Sequence, residues 1–109
     1  MRLVFAIVQN EDGQKVIDAL NEKGFSVTKL ATTGGFLRAG NTTLLIGVEE
    51  SKVEGVIQII KKTSRSRKRT ITSPPAQGYT PGTYMMYPVE VTVGGATIFV
   101  MDVNRFEML

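Results

Sequence analysis

Shifted by forty residues, the chain falls on itself: Val8, Val16, Ile17 and Leu20 land on Val48, Val56, Ile57 and Ile60. In each copy an apolar run ends at the valine, and a stripe spaced as one face of a helix follows it. Residues 2 to 8, RLVFAIV, are apolar on both alternations, as a central strand buried on two sides would be. Two strand-helix units of equal spacing constrain the fold strongly. They predict a single α+β domain over 1–109, a ferredoxin-like βαββαβ layout with two helices on one face of an antiparallel sheet.

Local signals place the boundaries. Asn10 is read as an N-cap, with Glu11 and Asp12 in the first turn of the first helix. Gly24 after Lys23 ends that helix, with Phe25 set for the usual hydrophobic contact. A second strand is expected near Ser26 to Leu30 and a third from Thr43 to Val48. Ser51-Lys52-Val53-Glu54 has the form of a capping box, and Val53, Val56, Ile57 and Ile60 mark the buried face of a second helix. Thr70-Ile71-Thr72 is a short strand candidate. The stretch after it, SPPAQGYTPGTYMMYP, holds all four prolines and all three tyrosines and reads as a long loop. Tyr87 to Val93 alternates cleanly. Gly94-Gly95 then reads as a two-residue hairpin turn into a strand from Ala96 to Val103.

Composition removes whole classes of chemistry. The chain has no histidine and no cysteine, so it lacks the commonest general base, any thiol nucleophile and the usual zinc ligands. An enzyme is not forbidden by this, but its usual tools are missing, and no catalytic residue, metal ligand or cofactor is assigned. Its start is apolar for only six residues before MRLVFAIVQNED turns polar, so no secretory segment is expected and cytoplasmic placement follows. The net charge of +3 hides an asymmetry: residues 61 to 70, KKTSRSRKRT, carry six of the thirteen basic residues, and the rest of the chain sums to about −3. That run is read first as a solvated helix end and loop, and second as a phosphate-binding patch for nucleic acid.

The stretch with the composition of a binding loop is TKLATTGGFLRAGNTTLLIG, Thr28 to Gly47. Glycine allows close approach of backbone to a ligand, Phe36 offers a face for stacking on a base, and Asn41 can meet an adenine edge. A ligand-free glycine-rich hairpin loop accounts for the same residues. Gly35 to Thr42 also approximates a phosphate loop, G-x-x-x-x-G-N-T. Asn41 replaces the required lysine, and Thr43-Leu44-Leu45-Ile46 reads as strand where that motif needs helix, so a Walker-type NTPase is rejected.

Two helices cover one sheet face, yet the strands at 2–8, 43–48 and 96–103 are apolar on both. Half a dozen such side chains left wet would forfeit on the order of 10 kcal/mol. The second face is therefore expected to be buried against further copies of the chain in a closed ring.

The strings TKLATTGGFLRAGNTT, LLIGVE and MYPVEVTVGGATIFVMDV resemble the PII-like cyclic di-AMP receptor family, in unchanged order from the first strand to the last. The resemblance implies a bacterial signal-transduction receptor rather than an enzyme, a homotrimer of PII-like fold that binds cyclic di-AMP between subunits. It implies a short T-loop at 31–41, an enlarged B-loop at 74–87 and an unidentified downstream protein partner. Thr28, Gly35, Phe36, Leu37, Asn41 and Gly47 are the ligand-binding residues it implies. Phe99 is read either as an added aromatic of the site or as core. For Gly47 a strand kink or bulge is the plainer reading, and for Thr28 an ordinary outward threonine. Ser26 and Met108 stand where members commonly carry arginine and glutamine, which removes a charge-assisted phosphate contact and an amide contact. The alternatives kept open are a PII-like sensor of another adenine nucleotide such as ATP and nucleic-acid binding through 61–69. No membrane partner is expected.

Overall fold

The computed structural model describes residues 1–30, 40–73 and 87–109. Strand β1, Arg2–Gln9, passes without a connecting residue into helix α1, Asn10–Glu22. Edge strand β2, Thr28–Leu30, and strand β3, Asn41–Val48, come next. A 3-10 turn at Glu50–Lys52 leads into helix α2, Val53–Ser64. Strands β4, Arg67–Ser73, and β5, Tyr87–Val93, precede the last strand, β6, Ala96–Asp102. The main sheet has the order β2-β3-β1-β6 with every pair antiparallel, and β4 and β5 form a second, two-stranded sheet. This mixed α+β arrangement fits the ferredoxin-like layout, with a hairpin inserted between the second helix and the final strand.

The core forms where three of the four repeated pairs predict it, while Ile17 and Ile57 stay only partly buried. Val8, Val16 and Leu20 are buried together with their counterparts Val48, Val56 and Ile60, and Val4, Ala6, Leu44 and Ile46 complete the cluster. Both helices cover the sheet face that carries the even-numbered residues of β1. Helix α1 ends as its sequence requires. Gly24 takes φ +87° and donates to the Asn21 carbonyl, while the Phe25 amide reaches back to Leu20 at 3.0 Å. These are the two bonds of a Schellman cap, and Phe25 packs against the core beside them.

Four local expectations are corrected. Asn10 does not cap α1: it is the first helical residue, and Gln9 holds the cap position without a side-chain cap hydrogen bond. Because β1 runs straight into α1, the Asn10 side chain instead accepts a hydrogen bond from Thr42 Oγ1 at 2.6 Å. Ser51 makes no capping box, since the 3-10 turn already winds that segment before α2 begins. Gly94-Gly95 is not a hairpin turn between β5 and β6. Their pairing is decided by sheet completion: β6 joins β1 to cover the core, and β5 pairs with β4. Finally, the basic run is neither loop nor free surface throughout, because Arg67, Lys68 and Arg69 lie in a strand of seven residues.

Candidate functional site

Strand register puts four of the residues singled out by sequence on the sheet face away from the helices. Directly paired residues share a face, and faces alternate along a strand. Thr28 pairs with Leu45, which pairs with Phe5, which pairs with Phe99. One step along, Gly47 pairs with Leu3, and Leu3 with Met101. At the other end Asn41 pairs with Gln9. Phe99 is 53% exposed and meets Phe5 edge to face, with ring centroids 6.2 Å apart. Between these rows the buried Thr43 hydroxyl has no hydrogen-bond partner among the described residues.

Among the described residues the four line no common pocket. Thr28 lies on edge strand β2 and Phe99 on edge strand β6, three strand spacings apart, or about 14 Å. Gly47 and Ser26 line a cleft of about 280 Å³ together with Lys23, Lys52 and Glu49. Asn41 lines a different hollow, of about 210 Å³, with Ile7, Gln9, Gly94 and Thr97. Gly35, Phe36 and Leu37, with the rest of 31–39, and the segment 74–86 lie outside the described residues.

Gly47 is instructive because the chain itself does not require it. It sits in regular register, has no positive φ, and a Cβ built there would meet nothing within 4 Å. A bulge or kink is thus excluded as its reason. The mid-strand glycine leaves a notch in the open face through which backbone can be approached.

A second group of residues, read from sequence as a helix first turn and a solvated basic run, meets where β1 passes into α1. The Arg67 guanidinium donates to Asp12 through both terminal nitrogens, at 2.9 and 3.3 Å, and to Glu11 at 3.3 Å. Arg69 also reaches Glu11, and Lys68 pairs with Glu90 across the hairpin. Asp12 is fully buried, with Lys15 at 3.6 Å as a further cation. The hydrogen bonds from Arg67 hold the Asp12 carboxyl below its ordinary value against the opposing effect of burial, with the fields of Arg67 and Lys15 adding to them. The Asp12 contact correspondingly raises Arg67 above its usual value. Half of the basic run's six cations are therefore committed to acids within the chain, which weighs against the nucleic-acid reading. The signal that would have found this cluster is the polar run Gln9-Asn10-Glu11-Asp12, opposite in sign to the later basic run.

The layout defines a small α+β domain with one sheet face under its helices and an apolar second face, with no helix among the described residues long and apolar enough to cross a membrane. A family model for the cyclic-di-AMP receptor matches residues 1–109, and the chain belongs to that family, the PII-like one it resembles in sequence. Among solved structures it is similar to the crystal structure of a functionally unknown protein from Pediococcus pentosaceus ATCC 25745. The two are 44% identical with a TM-score of 0.75, over 99% of this chain and 96% of the other.

Proposed function

We propose that this chain is a cyclic di-AMP receptor that works as a homotrimer, taking the dinucleotide at the seam between neighbouring chains and relaying its presence to a partner protein. The observation that carries the reading is the common face of Thr28, Asn41, Gly47 and Phe99, in a chain matched by the receptor family from end to end. That face also presents Leu3, Phe5, Leu45 and Met101, so its burial against other copies follows from the hydrophobic effect. The separation of Thr28 from Phe99 supports a site closed by a second chain, since one chain's two sheet edges cannot grip one ligand between them.

In this reading Asn41 and Thr28 hydrogen-bond base edge or phosphate, Gly47 admits the ligand to strand backbone, and Phe36 and Leu37 wall an adenine. Gly35 contributes an amide. The chain acts by binding and carries out no reaction, no cofactor besides the ligand is involved, and cytoplasmic placement belongs to the same proposal. Loop rearrangement on binding supplies the relay. Calorimetric titration of the assembled protein with cyclic di-AMP tests it, alongside ATP, ADP and cyclic di-GMP. Uptake of cyclic di-AMP in preference to the other three is expected. Preference for ATP would move the chain to the other adenine-nucleotide reading, and no uptake of any would end both.

A further inference from the structure

The first turn of α1 touches both the end of the segment that carries Asn41 and the foot of the β4-β5 hairpin. On one side, the Asn10 amide donates to the Gly40 carbonyl at 2.8 Å and its side chain accepts from Thr42. Gly13 packs so closely on Thr42 that a Cβ there would lie 3.1 Å from Oγ1. On the other side, Asp12 and Glu11 hold Arg67 and Arg69 of β4. Arg67 donates in addition to the Arg65 carbonyl at 3.1 Å. Gln9 accepts from the Gly94 amide at 2.7 Å, and the Gly95 amide donates to Ser64. Gly94, at φ +85°, leaves no room for a Cβ between the Arg65 carbonyl and the Arg67 guanidinium. The hollow lined by Asn41 is walled on its far side by Gly94 and Gly95.

We propose that this turn, through Asn10 and Asp12, ties Asn41 to the β4-β5 hairpin, so that a ligand held at Asn41 is read out as a change in the hairpin's pose. The inference rests on the receptor reading for its ligand, but not for the linkage itself. A two-stranded hairpin has little independent stability, so its pose is set by whatever grips its foot. Here the grip is a fork of hydrogen bonds on a buried carboxylate, the Glu11 contacts of Arg67 and Arg69, and two glycine amides. A rigid helix turn with polar contacts on both flanks is the kind of contiguous element through which coupling passes, provided the coupling is measured.

Hydrogen-deuterium exchange across Arg67–Ser73 and Tyr87–Val93 measures it, with and without cyclic di-AMP. In the native protein, ligand is expected to slow exchange in the hairpin by about 2- to 30-fold. In Asp12→Asn/Arg67→Gln, which replaces the ion pair by a neutral hydrogen-bonding pair, ligand still binds but that change is lost. A hairpin that responds as before in this variant overturns the proposal. Should the variant not fold, Arg67→Lys keeps a cation over the buried carboxylate while giving up the fork, and an undiminished response there overturns it equally. A ligand-free arm separates the linkage from the receptor reading. Thr42→Val removes only the hydroxyl bonded to Asn10, and is expected to alter exchange in β4 with the native ion pair and not with the neutral one. Equal effects of Thr42→Val in both backgrounds contradict the linkage, whether or not cyclic di-AMP binds.

Discussion

Arg67 on β4 and Asp12 in the first turn of α1 stand 55 residues apart in sequence and 2.9 Å apart in space. Their contact is the buried one among those that fasten the inserted hairpin to the rest of the domain. Asp12 is fully buried, and a buried carboxylate is tolerable only when its charge is met and its lone pairs are used. Arg67 does both, and Lys15 adds a weaker share.

Removing the carboxylate should therefore cost stability. Asp12→Ala is expected to destabilise the protein by about 1.5–3 kcal/mol, the usual worth of hydrogen bonds to a charged group. Urea unfolding checks this, with the midpoint falling and the slope unchanged. An unchanged midpoint would show the pair to be idle.

The same carboxylate sets a pH dependence. Its folded value lies below its unfolded one, so its contribution is fully present above the unfolded value of 3.8 and is lost as pH falls through the folded value. Melting temperature should drop on acidification below about pH 4. Asp12→Asn should start from a lower melting temperature at neutral pH and show a shallower drop. Parallel acid profiles for the two proteins would contradict the assignment.

Two glycines should respond oppositely to the same substitution. Gly94→Ala places a Cβ against the Arg65 carbonyl at a positive φ, which costs at least the 1–2 kcal/mol or so of left-handed backbone strain. Gly47→Ala meets open space, so its folding stability should stay within about 0.5 kcal/mol of native. Its cost should appear instead as weaker cyclic di-AMP uptake. Thermal melts and titration of both variants separate the two roles, and a strongly destabilised Gly47→Ala would return Gly47 to a structural role.

The open face makes a prediction about assembly. Phe99 is half exposed in the single chain, so Phe99→Asp should leave the fold intact while breaking the association of chains. Sedimentation velocity should show a smaller species with native circular dichroism. A variant that sediments like the native protein would place the interface elsewhere.

Much of this architecture was legible in the residues. The repeated Val8, Val16 and Leu20 pattern located the core because burial on a strand or helix follows a fixed period. Gly24 ended its helix as read, since few other residues take that φ. Asn41 was read as loop, and only the start of β3 at Asn41 rather than Thr43 puts it on one face with Gly47. What was not legible depended on partners distant in sequence. Gly94-Gly95 carries the local chemistry of a hairpin turn, but the need of β1 for a neighbour decided where β6 went. Asp12 looked like an ordinary first-turn acid and Arg67 one cation in a solvated run. Only the hairpin folding back onto α1 brings them together. Asn10 lost its capping role because β1 leaves no loop in which a cap could form. Of the site, Thr28, Asn41, Gly47 and Phe99 reach one face, while the residues at 35–37 lie outside the described part of the chain.

The proposed place of cyclic di-AMP is the seam where copies of this chain meet. Native mass spectrometry across a cyclic di-AMP titration counts chains and ligands in the same species. A trimer that fills to one dinucleotide per chain is expected, with no uptake by the dissociated Phe99→Asp chain. Ligand bound as tightly by a single chain, or a native protein that stays free of ligand throughout the titration, would contradict it.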